Sequence, residues 1–277
     1  MTRNVLITGG NSGIGYEMAL AFAAQGDHVI IAARSESKSQ AAIDRIKARY
    51  PASRVEALPL DLADFGDVDR CAVAVLKKMP TIDVLILNAG LYTMKLYTLA
   101  NGYEAMMGIM HFGHFRLAQH LLEAVKAAKQ GRIVVTSSMI HKLGKIDEAS
   151  FTRPQKHLTG LHAYGQAKLA NLLFTRELAQ RLKGSNVTVN AFHPGAVATD
   201  IYRQLPDFMQ PLIRATMVTP AQGADTAVWL ATDPSLTQVS GEYFVGRKLK
   251  PGSKASQDAT LATKLWALSE AEMRRAG

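Results

Sequence analysis

Short apolar runs alternate with helix-compatible stretches along most of this chain, and that alternation restricts the fold more than any other feature. The runs are Val5–Thr8, Val29–Ala32, Val55–Leu60, Val84–Leu87, Ile133–Thr136, Val187–Phe192 and Tyr243–Val245. They are apolar almost without a break, the pattern of strands buried on both faces. Between them lie the helical stretches Gly13–Gln25, Ser37–Ala48, Phe65–Lys78, Tyr103–Lys129, His162–Lys183 and Pro220–Ala231. Repeated strand–helix–strand units with short connections require right-handed crossovers, and so a doubly wound sheet.

The first strand runs into Thr8-Gly9-Gly10-Asn11-Ser12-Gly13-Ile14-Gly15, which opens the first helix. Glycine permits a tight turn and close backbone approach, and a helix N-terminus offers free N–H groups and partial positive charge. Gly9, Asn11, Ser12, Gly13, Ile14 and Gly15 are therefore candidate pyrophosphate-binding residues. The second strand ends in Ala32-Ala33-Arg34-Ser35, without the carboxylate an NAD site needs for its ribose hydroxyls. Arg34 can grip a 2′-phosphate with two parallel hydrogen bonds, and Lys38 can add a second charge. The expected cofactor is NADPH/NADP+. The expected architecture is α/β: one Rossmann-type domain over residues 1–277, with a parallel seven-stranded sheet flanked by helices.

Tyr164 and Lys168, four residues apart, share one helix face. An ammonium close to a phenol favours the phenolate, so the pair can move a proton nearer neutral pH than a lone tyrosine with its pKa of about 10. Ser138, at the end of the fifth strand, can hydrogen-bond a reacting oxygen. Ser138, Tyr164 and Lys168, combined with the glycine-rich turn, suggest carbonyl–alcohol redox chemistry.

Composition excludes several classes. Cys71 is the only cysteine, so no intrachain disulfide forms. The net charge of +9 fits nucleic-acid binding, but the basic residues are scattered, with no arginine-rich helix. A basic surface that favours an anionic cofactor is the better reading. His111 and His114 lack a third ligand nearby in sequence, so no metal centre is expected. With no signal peptide and no apolar run of the ~20 residues a bilayer requires, a cytoplasmic protein without membrane attachment is expected. A polar insertion at 141–161 and an apolar segment at 200–218 follow strands, where binding loops and lids occur. The stretch 256–275 looks amphipathic and is expected to pack on the domain.

Taken together, Thr8-Gly9-x-x-x-Gly13-x-Gly15, Asp61-Leu62, Asn88-Ala89-Gly90, Ser138, Tyr164-x-x-x-Lys168 and Pro194-Gly195 resemble the short-chain dehydrogenase/reductase family. His111-Phe112-Gly113-His114-Phe115, His193-Pro194-Gly195 and Leu265-Trp266 resemble its retinol-dehydrogenase-like branch. The resemblance implies that Asp61 and Leu62 border the adenine. It implies that Asn88, Ala89 and Gly90 line the cofactor cleft, and that Pro194, Gly195, Val197 and Thr199 flank the nicotinamide. It makes Tyr164 the acid/base, has Lys168 hold the nicotinamide ribose, and has Ser138 bond the substrate oxygen. Met110 departs from the branch, which has asparagine there to anchor a water in the proton relay. Tyr92, Met94, His141, Leu161, Ile201, Tyr202, Leu205, Phe208 and Leu212 are candidate walls for a small, mostly apolar carbonyl or alcohol substrate. A homodimer through the helices Tyr103–Lys129 and His162–Lys183 is possible. The competing reading is an NADPH-binding sensor or scaffold with little turnover; Met110 favours it, and the intact Ser138, Tyr164 and Lys168 oppose it.

Overall fold

The computed structural model describes residues 2–195 and 218–276. Val197, Thr199 and the expected lid up to residue 217 lie outside the described residues. The strands are β1 (Asn4–Thr8), β2 (His28–Ala33), β3 (Arg54–Pro59), β4 (Val84–Leu87), β5 (Gly131–Thr136), β6 (Val187–His193), β7 (Tyr243–Val245) and β8 (Lys248–Lys250). They form one sheet in the order β3-β2-β1-β4-β5-β6-β7-β8. The first seven pair in parallel, and the chain changes direction of winding between β1 and β4. In such sheets this switch point is where ligands bind, beyond the strand C-termini.

β8 is antiparallel to β7, so the sheet has eight strands rather than the seven expected. The two are joined by Gly246 and Arg247, both at positive φ (56° and 59°), the geometry of a two-residue hairpin turn. Arg247 tolerates it because its guanidinium pairs with Asp225 and its N–H donates to Thr226 Oγ1 at 3.2 Å. Three exposed residues, Lys-Leu-Lys, carried too little apolar signal to read as a strand.

Side chains of the central strands alternate between two cores. Leu6, Ile30, Leu85, Ile133 and Val189 face one, and Val5, Ile7, Val29, Ile31 and Phe192 face the other. The second core is covered by α1 (Gly13–Ala24), α2 (Glu36–Arg49) and, across the switch point, α7 (Pro220–Thr232). α7 starts in a capping box of Thr219 and Gln222 with proline in its first turn. The first core is covered by α3 (Phe65–Lys78), α5 (His114–Lys126) and α6 (Gly160–Arg181). Cys71 is buried in α3, where burial pushes its thiol up to about 12, so it is inert.

The stretch Tyr103–Lys129, expected as one helix, is broken. A short turn α4 (Ala105–Met107) leads into a π-helical segment (Gly108–Gly113), and α5 follows. The buried Glu104 carboxylate accepts from the N–H groups of Met106 and Met107 at 3.0 and 2.8 Å and starts the turn. A side chain on Gly113 would press on the Leu62 carbonyl oxygen at 2.5 Å. A π segment adds a residue per turn without interrupting the apolar run, so hydrophobic period alone did not reveal it.

The 141–161 insertion is pinned rather than loose. It contains turns at Glu148–Phe151 and Pro154–Lys156, its Phe151 is buried, and Gln166 Oε1 accepts from Asp147 N–H at 2.9 Å. The last helix, α8 (Ala259–Ala276), lies across α5 and α6, as its amphipathic pattern predicts. Trp266 stacks on Phe174 at 6.0 Å and meets Phe115 edge-on at 4.9 Å. A homodimer on these helices would have to form around α8.

Candidate active site

β1 delivers Thr8 to the switch point. The Thr8 hydroxyl accepts from the N–H groups of Asn88 and Ala89 at 2.8 and 3.0 Å, and it donates to His114 Nε2 at 2.9 Å. His114 Nδ1–H in turn donates to the Met110 carbonyl at 3.1 Å. Burial pushes the His114 pKa down to about 4, so the ring is neutral and can play both roles. Asn88 Nδ2 donates to the Thr8 carbonyl at 3.0 Å. These bonds lock the end of β4 to the glycine-rich turn.

Gly9 sits at φ +67° and donates to the Ala32 carbonyl at 2.8 Å. A Cβ on Gly15 would overlap the Gly9 carbonyl and lie 2.8 Å from Asn88 Nδ2. Ser12 caps α1 in extended geometry without a side-chain bond to the helix, and Gly13 follows it, exposed. The first turn of α1 thus receives no acceptor from its cap, which suits a backbone cradle for a phosphate. Ile14 is half-buried beside the cradle. The residues present therefore fit a dinucleotide. Gly15→Ala is expected to weaken dinucleotide binding at least tenfold and to cost about 1–3 kcal/mol through overpacking. Fluorescence titration and thermal unfolding check it; a variant with unchanged affinity would remove the cradle from this site.

Arg34 and Lys38 are exposed just beyond β2, and among the described residues neither side chain has an ion-pair or hydrogen-bond partner. Asn11 leans the other way, donating to Ser39 Oγ at 3.2 Å. Asp61 follows β3 and accepts from Ala63 N–H at 3.0 Å, while Leu62 is buried against the π segment. Gly90 is exposed at the end of β4, and Pro194 and Gly195 are half-buried after β6.

β5 and α6 supply the other half of the site. Ser138 Oγ caps a tight turn (Met139–Leu143), accepting from Ile140 N–H at 3.2 Å. On α6, Lys168 Nζ lies 5.6 Å from the Tyr164 ring centroid and donates to the Thr136 carbonyl at 3.1 Å. Burial lowers the Lys168 pKa from 10.5 to about 8. Tyr92 meets the Tyr164 ring edge-on at 5.7 Å. A Cβ on Gly90 would lie 3.0 Å from Met110 Sδ and 3.7 Å from Lys168 Nζ, so the buried thioether and the ammonium both border Gly90. Sulfur is a poor acceptor and adds little solvation there.

Two residues escaped the sequence reading. Asn171, one turn beyond Lys168, also donates to the Thr136 carbonyl at 3.1 Å. Gly165 lets the Ser138 turn press against α6, since a Cβ there would lie 2.8 Å from the Ile140 carbonyl. Both belong to the Tyr164–Lys168 helix face or its edge, and helical spacing could have flagged them. His141, expected to wall the substrate pocket, is instead fully buried. Tyr92 is half-buried, and Met94 and Leu161 are exposed, joined by Met139, Leu143 and Leu158. Ile201, Tyr202, Leu205, Phe208 and Leu212 lie outside the described residues. Among the described residues no three metal-ligating side chains gather, and no helix is long and apolar enough to cross a membrane.

A family profile described as short chain dehydrogenase matches residues 3–210. Human retinol dehydrogenase 13 is 35% identical over 275 residues, covering 96% of this chain and 83% of that protein. Human retinol dehydrogenase 14 is 36% identical over 288 residues, 97% and 85% of the two chains. The crystal structure of an uncharacterised protein from Mycobacterium paratuberculosis superposes with a TM-score of 0.79 at 33% identity, over 98% of this chain and 93% of that one. With the glycine-rich turn, Ser138 and the Tyr164–Lys168 pair at the C-terminal end of the sheet, the chain belongs to the short-chain dehydrogenase family, in its retinol-dehydrogenase-like branch, whose members are nicotinamide-dependent oxidoreductases of carbonyls and alcohols.

Proposed function

We propose that this protein interconverts a mostly apolar ketone or aldehyde and its alcohol, using NADPH/NADP+. The observation that carries the reading is that the Ser138 turn packs on the helix of Tyr164 and buried Lys168, at the same C-terminal end of the sheet as the glycine-rich turn. When bound, the nicotinamide supplies or accepts the hydride. Gly9, Ser12, Gly13, Ile14, Gly15, Asn88, Ala89 and Gly90 would hold the dinucleotide, with Arg34 and Lys38 on a 2′-phosphate. Tyr164 gives its hydroxyl proton to the carbonyl oxygen as negative charge develops. Lys168 stabilises the phenolate left behind, and Ser138 Oγ hydrogen-bonds the same oxygen. Donors preorganised toward developing charge act mainly on the transition state. In alcohol oxidation each proton moves in reverse.

Arg34, which has no side-chain partner among the described residues, and the exposed apolar side chains Met94, Met139, Leu143, Leu158 and Leu161 support the finer parts of this reading. A screen of NADPH oxidation over apolar and charged carbonyl compounds tests it. Turnover confined to charged substrates would overturn the apolar assignment, and none with any carbonyl would favour a sensor.

Cofactor choice has its own expected outcome. The wild type should bind NADPH at least about tenfold more tightly than NADH, the value of one or two charge-assisted bonds. Ala33→Asp combined with Arg34→Ile should abolish that preference. Equal binding of both dinucleotides by wild type would remove Arg34 from the site.

A further inference from the structure

His141 is fully buried directly behind Ser138, yet the proposed reaction gives it no task. Both of its ring nitrogens are engaged. Nδ1 lies 2.6 Å from the Ser138 carbonyl, which can only accept, so Nδ1 carries the proton. Nε2 receives the backbone N–H of Ser253 at 3.1 Å, so it carries the lone pair. The tautomer is therefore fixed by the two partners, and burial favours the neutral ring that it requires. The ring also packs edge-on against Tyr243 at 5.3 Å.

The two partners belong to distant parts of the chain. Ser138 begins the turn that connects β5 to the insertion, and its carbonyl also accepts from His141 N–H at 3.1 Å. Ser253 belongs to a compact turn in which Ser256 Oγ donates to the Ser253 carbonyl at 2.8 Å, just before α8. Without the imidazole, the Ser138 backbone would keep only its bonds within the turn and its place after β5.

We infer that His141 is the positioning residue for Ser138: it clamps the serine backbone to the turn ahead of α8, so that Oγ faces the substrate oxygen. This rests on the role proposed for Ser138 above. An imidazole donates through Nδ1 to one partner and accepts through Nε2 from the other, and shorter amides can reproduce only one half each. Asparagine places its amide near the position of Nδ1 and keeps the Ser138 bond. Glutamine reaches the position of Nε2 and keeps the Ser253 bond.

The test compares His141→Ala, His141→Asn and His141→Gln by steady-state kinetics, NADPH titration, thermal unfolding and hydrogen exchange. A misplacement of about 1 Å costs about 10²-fold, so His141→Ala should lose about that in kcat with NADPH affinity unchanged. His141→Asn should recover most of the loss, and His141→Gln should not, even where the two unfold at the same temperature. Exchange at the Ile140 and His141-position amides should rise in the Gln variant and not in the Asn variant, whether or not turnover is measurable. In a Ser138→Ala background, His141→Ala should cost less than about twofold more, because residues acting through one group are non-additive. Losses that follow melting temperature alone, or that multiply with Ser138→Ala, would make His141 an ordinary core residue. If Ser138→Ala itself kept full turnover, the proposed role of the serine would fail instead, and positioning would have no object.

Discussion

Tyr164→Phe should bind NADPH within about twofold of wild type and lose about 10²–10⁴-fold in kcat, the range of a single general acid. The hydroxyl is the only group removed. The ring keeps its edge contact with Tyr92 and its place one turn from Lys168, so the pocket stays packed. Because the proton moves only as the oxygen becomes basic, the loss belongs in kcat rather than in ground-state affinity. Single-turnover kinetics with saturating NADPH would check this directly. A rate within tenfold of wild type would assign the proton to another donor.

Lys168→Met should make the cofactor-free protein more stable near neutral pH while destroying its activity. Burial takes the Lys168 pKa from 10.5 down to about 8 on folding. Below pH 8 the ammonium is charged in both states, and the fold bears the full desolvation cost. Between about 8 and 10.5 the unfolded chain binds more protons than the folded one, so stability rises with pH. Above that window both forms are neutral and the cost has gone. The depression corresponds to about 3 kcal/mol, which sets the upper scale of the expected gain at pH 7. The Thr136 carbonyl that loses Nζ still accepts from Asn171, so no acceptor is left unpaired. Urea titrations of both proteins at pH 7 and pH 10.5 would show a gap that closes with pH. A gap that is constant or widens would mean the ammonium is better solvated than its burial implies.

The central parallel strands were readable because they are buried on both faces and apolar almost throughout, whereas β3, with Arg54, Glu56 and one fully buried residue, carried a weaker signal. Right-handed crossovers implied a doubly wound sheet, while the strand order came only with the structure. What escaped was structure whose signal is local geometry rather than hydrophobicity. β8 depends on two consecutive left-handed residues, one of them an arginine held by Asp225. The π segment hides inside an unbroken apolar stretch. In the candidate site, Ser138, Tyr164 and Lys168 could be singled out because that combination is uncommon at that spacing and in that order, and the structure brings the Ser138 turn against the helix that carries the other two. His141 was misplaced because a histidine in a polar insertion gives no sign of which backbone groups it will meet, and Ser253 lies 112 positions away. Met110 was legible as a departure, but its burial against Gly90 is a matter of tertiary packing that no local pattern carries.

α8 lies across α5 and α6, with Trp266 between Phe115 and Phe174. The helix is tethered a few residues beyond the sheet edge, so its effective concentration at that face is on the order of millimolar. A second molecule approaching the same face competes with an occupant that never diffuses away. Loosening Trp266 would therefore bare the apolar surface of Phe115 and Phe174 that the tethered helix now keeps covered.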